Sequence, residues 1–266
     1  MKGVVLPELT EDFTADPVEL FFDLAYVFAF SQIVSVLIHD PSWGTVGEAA
    51  LVFTLLWLPW QQLTWAANAV SGNGRPVRLL FLAATVASVS MAAATSDALG
   101  DSGTVFAVSL AVIMVIGFGI QSLGTGLDAG HRDAVIRWIG PNLAAIALLV
   151  AGSFTEGTTR IVIWLAVAVA VVVTMVFAGR QAWVVRVGHM AERHGLIIII
   201  ALGEVIVAIG IPVVKALEKE GSLPWATILA LLASGAFAGL LWWAYFDRPS
   251  PGLEFAASRL DATSAG

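Results

Sequence analysis

Apolar residues run along this chain in stretches of roughly 18 to 25, each long enough to cross a hydrocarbon core of about 30 Å. Eight such stretches fall at about 17–38, 47–70, 77–96, 103–124, 135–152, 160–182, 193–214 and 224–246. The breaks between them are "HDPSWG", "SGNGRP", "TSDALGDSG", "GLDAGHRD", "GSFTEGTT", the "RQAWVVRVGHMAER" segment and "LEKEGSLP". Connections this short predict antiparallel neighbours with no inserted soluble domain. The pattern predicts an all-α, polytopic integral membrane bundle of about eight transmembrane helices, occupying 17–246 between cytoplasmic tails at 1–16 and 247–266.

Composition agrees. Of 266 residues, 58% are hydrophobic and only 12% charged, against about a quarter charged in a soluble domain. Mean hydropathy is +0.88. Acidic residues outnumber Lys and Arg by 20 to 13 and no basic block occurs, which argues against a nucleic-acid partner. The absence of Cys removes disulfides, thiolate nucleophiles and Cys-based metal sites. "MKGVV" followed by acidic "PELTEDFTADP" does not read as a cleavable signal peptide.

Orientation follows from basic residues, which are retained in cytoplasmic loops. With the N-terminus inside, Lys2, Arg75, Arg78, Arg132, Arg137, Arg180, Arg186, Arg193, Arg248 and Arg259 fall on the cytoplasmic side, against Arg160, Lys215 and Lys219 outside. Both termini are expected in the cytoplasm. Trp242, Trp243 and Tyr245 form an aromatic belt at the same end of the last span.

Against this apolar background the charged residues within spans stand out. Asp16, Pro17 and Glu19 have the order of a capping box, with Asp as N-cap and Glu reaching back from the third helical position. Asp23 lies about 9 Å further in than Pro17. A carboxylate there costs roughly 2.5–3.5 kcal/mol unless it is paired, protonated or facing water. Glu204 is deeper still, about 15 Å inside its span. Desolvation at that depth opposes ionisation, so Glu204 and Asp23 are the candidate proton-exchanging or catalytic acids.

The second span adds Gln61, Gln62, Thr64 and Asn68 among Trp57, Trp60 and Trp65, with Pro59 able to kink the helix. Counting depth from the helix ends puts Thr64 and Asn68 level with Asp23 and Gln61 near Glu204. Gln121, Arg78 and the Arg193 region belong to the same half of the membrane. These residues predict a polar vestibule open to the cytoplasm and closing on Glu204, able to hold a small-molecule or lipid-like ligand, with protons as a further partner.

Other motifs carry less. "GFGIQSLGTG" lacks the Lys-Ser/Thr of a phosphate loop and ends a span, so it reads as helix packing. Gly203 and Gly210 read the same way. In "HMAERH" the two His diverge by about 140° on a helix, so no metal site is expected. No cofactor is implied either.

"PVELFFDL", "HMAERHGLIIIIALGEVIVAIG" and "LWWAYFD" resemble the bacterial low-temperature-requirement A (LtrA) family of membrane proteins, with similarity from 17 to 248. The resemblance implies a multi-helix bacterial inner-membrane protein. It marks Glu19, Asp23, Trp65, Asn68, Arg78, His189, Glu192, Arg193, Gly195, Gly203, Glu204 and Asp247. Family members usually continue with further spans, and often carry Ser where this chain has Val205 and an acidic residue just beyond Asn68; the resemblance is to a short form of the family. Three readings stay open: a proton-linked transporter, an intramembrane enzyme such as an isoprenoid cyclase using a carboxylic acid as general acid beside Trp faces, and a structural subunit whose acids lock helices together.

Overall fold

A computed structural model describes residues 14–70, 74–124, 129–178 and 185–247. Among these, the elements are eight α-helices: α1 Pro17–His39, α2 Trp43–Ala69, α3 Arg75–Thr95, α4 Gly103–Leu123, α5 Ala129–Ser153, α6 Gly157–Ala178, α7 Val187–Glu220 and α8 Trp225–Phe246. Each apolar stretch becomes a helix. The largest departure is α7, which starts six residues before the expected span and draws His189 and Glu192 into its first turns. The capping box at Asp16 and Glu19 forms as the residue order dictates.

Seven of the eight helices are long and apolar enough to cross a membrane. The exception is α2, 27 residues long, whose apolar content is diluted by Gln61, Gln62, Asn68 and Pro59. Its packing explains how it tolerates them. The chain divides into two compact units, one running to Met190 and the other starting at Ala191. In the first, α1, α2, α4 and α3 close a four-helix ring, and α2, α4, α5 and α6 close a second that shares the α2–α4 pair. With α1, α4 and α6 as neighbours, α2 buries Gln62, Thr64 and Asn68 against protein.

The outer faces of this unit are apolar. Phe21, Leu24 and Phe28 on α1, and Leu79, Leu82 and Val86 on α3, are exposed at helical spacing, the pattern of a lipid-facing stripe. In the second unit, α7 beyond Met190 and α8 likewise leave most apolar side chains exposed. A Cβ at Gly195 would meet the Phe246 ring at 3.3 Å, whereas one at Gly203 or Gly210 would meet nothing within 4 Å. The close helix approach expected at Gly203 and Gly210 is therefore made by no element of their own unit.

Two close approaches hold the first unit. Where α4 passes α2, a Cβ on Gly117 would lie 2.8 Å from Gln62 Nε2 and 2.9 Å from Leu63 Cδ1. Arg160, counted from sequence among the basic residues of the outer side, is buried. It donates to the carbonyls of Gly100, Ser153 and Thr155 and lies over Trp164, tying the α3–α4 connection to the α5–α6 connection.

Gly117→Leu is expected to lower stability by roughly 1–3 kcal/mol, the usual cost of overpacking, read as a lower midpoint in thermal unfolding of the detergent-solubilised protein. Gly119→Leu, where an added Cβ meets nothing within 4 Å, should leave the midpoint near wild type. Equal effects would refute the close α2–α4 approach.

Candidate functional site

Asp16, Glu19, Asp23 and Tyr26 follow a 3-4-3 spacing and share one face of α1. All four are buried, and each acid meets a different neighbour. Asp16 Oδ1 accepts from Val18 N at 3.1 Å as the helix cap, while its Oδ2 accepts from Arg78 of α3 at 3.0 Å. Arg78 is about half exposed, so this pair is worth at most about 1 kcal/mol and serves mainly to register α1 against α3.

Glu19 also has two tasks. Its Oε1 accepts from the Asp16 backbone N–H at 3.1 Å, and its Oε2 lies 3.2 Å from His189 Nε2, in the first turn of α7. Both side chains are fully buried. With Oε1 accepting, Oε2 and the imidazole share a proton: either the carboxylic O–H donates to nitrogen or the imidazole N–H donates to carboxylate. The cap read from sequence is thus half of what Glu19 does.

Asp23 Oδ1 accepts from the Trp60 indole N–H of α2 at 2.8 Å. This bond sets the α1–α2 register: in antiparallel helices it brings Glu19 level with Thr64, one turn from Asp23. Counting from the helix ends had placed Thr64 and Asn68 at the level of Asp23, and the real partner is Trp60. Asn68 instead holds the start of α7, its side-chain oxygen accepting from Arg186 N at 3.1 Å while its carbonyl accepts from the Arg186 guanidinium.

From Asp23 towards the far end, the α1–α2 seam is closed by rings. Trp57 stacks on Trp60 at 4.8 Å, and contacts continue through Phe53 at 6.0 Å to Phe30 at 5.3 Å and Tyr26 at 6.4 Å. Past the rings lies a pocket of about 330 Å³ whose lining includes Ile33, Val36, Glu48, Val52 and Asp97. Polar atoms facing α2's surroundings remain without a protein partner among the described residues: Thr64 Oγ1 and Gln61 Oε1.

The expected site residues therefore divide. Glu19, Asp23, Trp60, Arg78 and His189 are bonded to or through the N-terminal half of α1, with Asp16 joining as the helix cap, whereas Asn68 bonds Arg186 at the start of α7. Gln121 follows a different face, on the α4 stripe with Leu110 and Met114. Glu192, Arg193, Glu204 and Asp247 belong to the second unit, where Arg193 is buried and Glu204 half-buried in mid-helix. Trp65 is half-buried on α2. Among the described residues, no group of three or more His, Cys, Asp or Glu is placed to hold a metal ion.

Arg186 was missed by the sequence reading as a site residue. Its only signal was a second Arg beside the "GHMAER" segment. Asp16 was read only as a cap. Gln62 was read as one of the polar residues of the second span and not as a site residue.

Comparison with known proteins adds identity to this geometry. The family model of the bacterial low temperature requirement A protein (LtrA) matches residues 14–265. An uncharacterized protein of Rhizobium meliloti (strain 1021) is 32% identical over 273 residues, covering 97% of this chain and 63% of that protein. The chain thus spans under two thirds of that relative's length. No solved structure matches.

Glu19 and His189 should be energetically coupled. In a double-mutant cycle of Glu19→Gln and His189→Ala, read by thermal unfolding, the interaction term is expected within about 0.5–3 kcal/mol, as for residues in direct contact. Additive effects would show that the pair contributes nothing as a pair.

Proposed function

Since the chain belongs to the bacterial low-temperature-requirement A family, we propose that it is a proton-linked transporter of the bacterial inner membrane, with both termini cytoplasmic. The observation that carries this reading is the fully buried Glu19–His189 pair at 3.2 Å, a place to hold one proton between two groups of opposite preference. Buried ionisable residues in spans are costly and usually serve a pathway. The pair also links α1 to the first turn of α7, so a change in its protonation acts on a helix start as well as on a charge.

The second support is the arrangement along the α1–α2 seam. In the proposed orientation the carboxylates lie at the inner end and the 330 Å³ pocket at the outer end, within the size range of ligand sites. The rings of Tyr26, Phe30, Phe53 and Trp57 stand between them. They would act as the barrier of an alternating-access cycle, with Asp23 as the carboxylate next to it. Glu204 is proposed as a further protonation site on α7. The ligand is a small molecule reaching the seam from either face.

One observation favours a second reading. Asp23 bonded to the Trp60 indole, with Trp57 stacked on it, sets an acid beside π faces, the equipment of a general acid acting on a lipid-like or isoprenoid substrate. The stacking already occupies one face of each ring, which weighs against it.

Proteoliposomes enclosing a pH-sensitive dye, challenged with amino acids, sugars, organic cations and isoprenoid lipids, separate the two. The transporter reading expects solute-dependent proton uptake that is lost in Glu19→Gln and reduced in Glu204→Gln. Turnover of a lipid without proton uptake would select the enzyme instead.

A further inference from the structure

The pocket at the far end of the α1–α2 seam is walled by α1, α2, α3 and α6 together with the α3–α4 connection, all within the first unit. Its volume of about 330 Å³ lies at the lower end of the range for small-molecule sites. Much of the wall is apolar: Ile33 and Val36 on α1, Val52 on α2 and Ile161 on α6, with Ile33 and Val52 buried. Thr95 of α3 is buried there too, but its hydroxyl donates to the Met91 carbonyl at 2.9 Å and is already occupied. Two carboxylates, Glu48 of α2 and Asp97 of the α3–α4 connection, line the same pocket, and no Lys, Arg or His does so among the described residues.

Neither carboxylate is fully engaged by the fold. Glu48 stands about 7.5 Å inside α2 and has no hydrogen bond or ion pair among the described residues. Asp97 Oδ2 accepts from the Ser102 backbone N–H at 2.9 Å, which steadies the α3–α4 connection, while Oδ1 accepts from no described residue. Oδ1 lies over Gly100, where a Cβ would sit 2.0 Å away, so the glycine leaves the carboxylate room on the pocket wall. Arg160 bonds the Gly100 carbonyl from outside the lining. Its other bonds go to the carbonyls of Ser153 and Thr155, and it pairs with neither acid.

Exposed acids above buried apolar walls select a ligand by charge and by shape. A carboxylate or phosphate is repelled by both acids. A sugar would bury hydroxyls against Ile33, Val52 and Ile161, which offer them no partner. A bare metal ion suits the pocket no better, since it needs a convergent ligand set and the described residues bring no three acidic or His groups together. An amine satisfies both halves: its ammonium donates to the carboxylates while its alkyl part covers the apolar wall. We propose that this pocket binds a monovalent organic cation, an alkylammonium without an acid group, through Glu48 and Asp97. The inference rests on the transporter reading and names the class of solute that reading left open.

The experiment titrates n-butylammonium against the full chain in detergent at physiological ionic strength, with binding read by saturation-transfer NMR. Butanol, butyrate and ammonium are scored by how well each displaces it. Butylammonium is expected to bind several-fold more tightly than butanol or ammonium, and butyrate to displace nothing. Glu48→Gln and Asp97→Asn should each weaken butylammonium several-fold at an unchanged thermal midpoint. Asp101→Asn, an exposed acid outside the lining, should leave it as in wild type. Equal binding of butanol would overturn the role of charge, and equal binding of ammonium the role of the apolar wall. Butylammonium binding that is unaltered in folded Glu48→Gln, or absent from the wild type, would overturn the site. No proton gradient enters this readout. Proton uptake driven by other solutes, without butylammonium binding, would reject the cation site and leave the transporter reading standing; binding without any proton uptake would support the site and reject the transporter.

Discussion

Within a bilayer a polar side chain has only the rest of the protein, or water the protein admits, to bond to. The packing around α2 follows from that limit. This helix carries Trp57, Trp60, Gln61, Gln62, Thr64, Trp65 and Asn68 in twelve consecutive residues, too polar a run to face lipid. It is accordingly the helix shared by both four-helix rings, with α1, α4 and α6 around it. Trp60 turns to α1, Gln62 to α4 and Asn68 to the start of α7. The contacts with α1 and α4 are thereby each fixed in register by a directional bond on top of unspecific apolar contact.

The carboxylates of α1 show the same economy. Asp16 and Glu19 each use one oxygen to finish their own helix and the other to reach a different helix. A cap is local and cheap to form, whereas the second bond spans 62 positions for Asp16 and 170 for Glu19. The α1 N-terminus is thus both a helix end and the joint at which α3 and α7 meet it. In the proposed transporter, this joint is where protonation of the Glu19–His189 pair would act on the packing of α1.

How far this was legible in the sequence varies by element. The helices were, because a span needs only length and hydropathy, both local properties. The Asp16–Glu19 capping box was, because its residues are three apart. Long-range partners were not. Nothing in the sequence around Asp23 names Trp60, and depth counting missed it by a turn because it ignores the reach of the indole side chain and the relative offset of the two helices. Arg160 was counted only as an outer-side charge, and the approach of two connections shows that it is buried. Gln121 was grouped with Glu204 by depth alone, but depth says nothing about which face of α4 it occupies. The early start of α7 was hidden by charged residues that resemble a loop, one of which, His189, bonds Glu19 across the first unit.

The central claim is that Glu19 and His189 hold one proton between them. It is tested most directly by pH-difference infrared spectroscopy of the protein in lipid, with isotopically labelled His to mark the imidazole bands. The account predicts that a carboxyl band and an imidazole band change together, and that both changes vanish in Glu19→Gln. A histidine step that persists unaltered in Glu19→Gln, with no carboxyl band tied to it, would contradict the account.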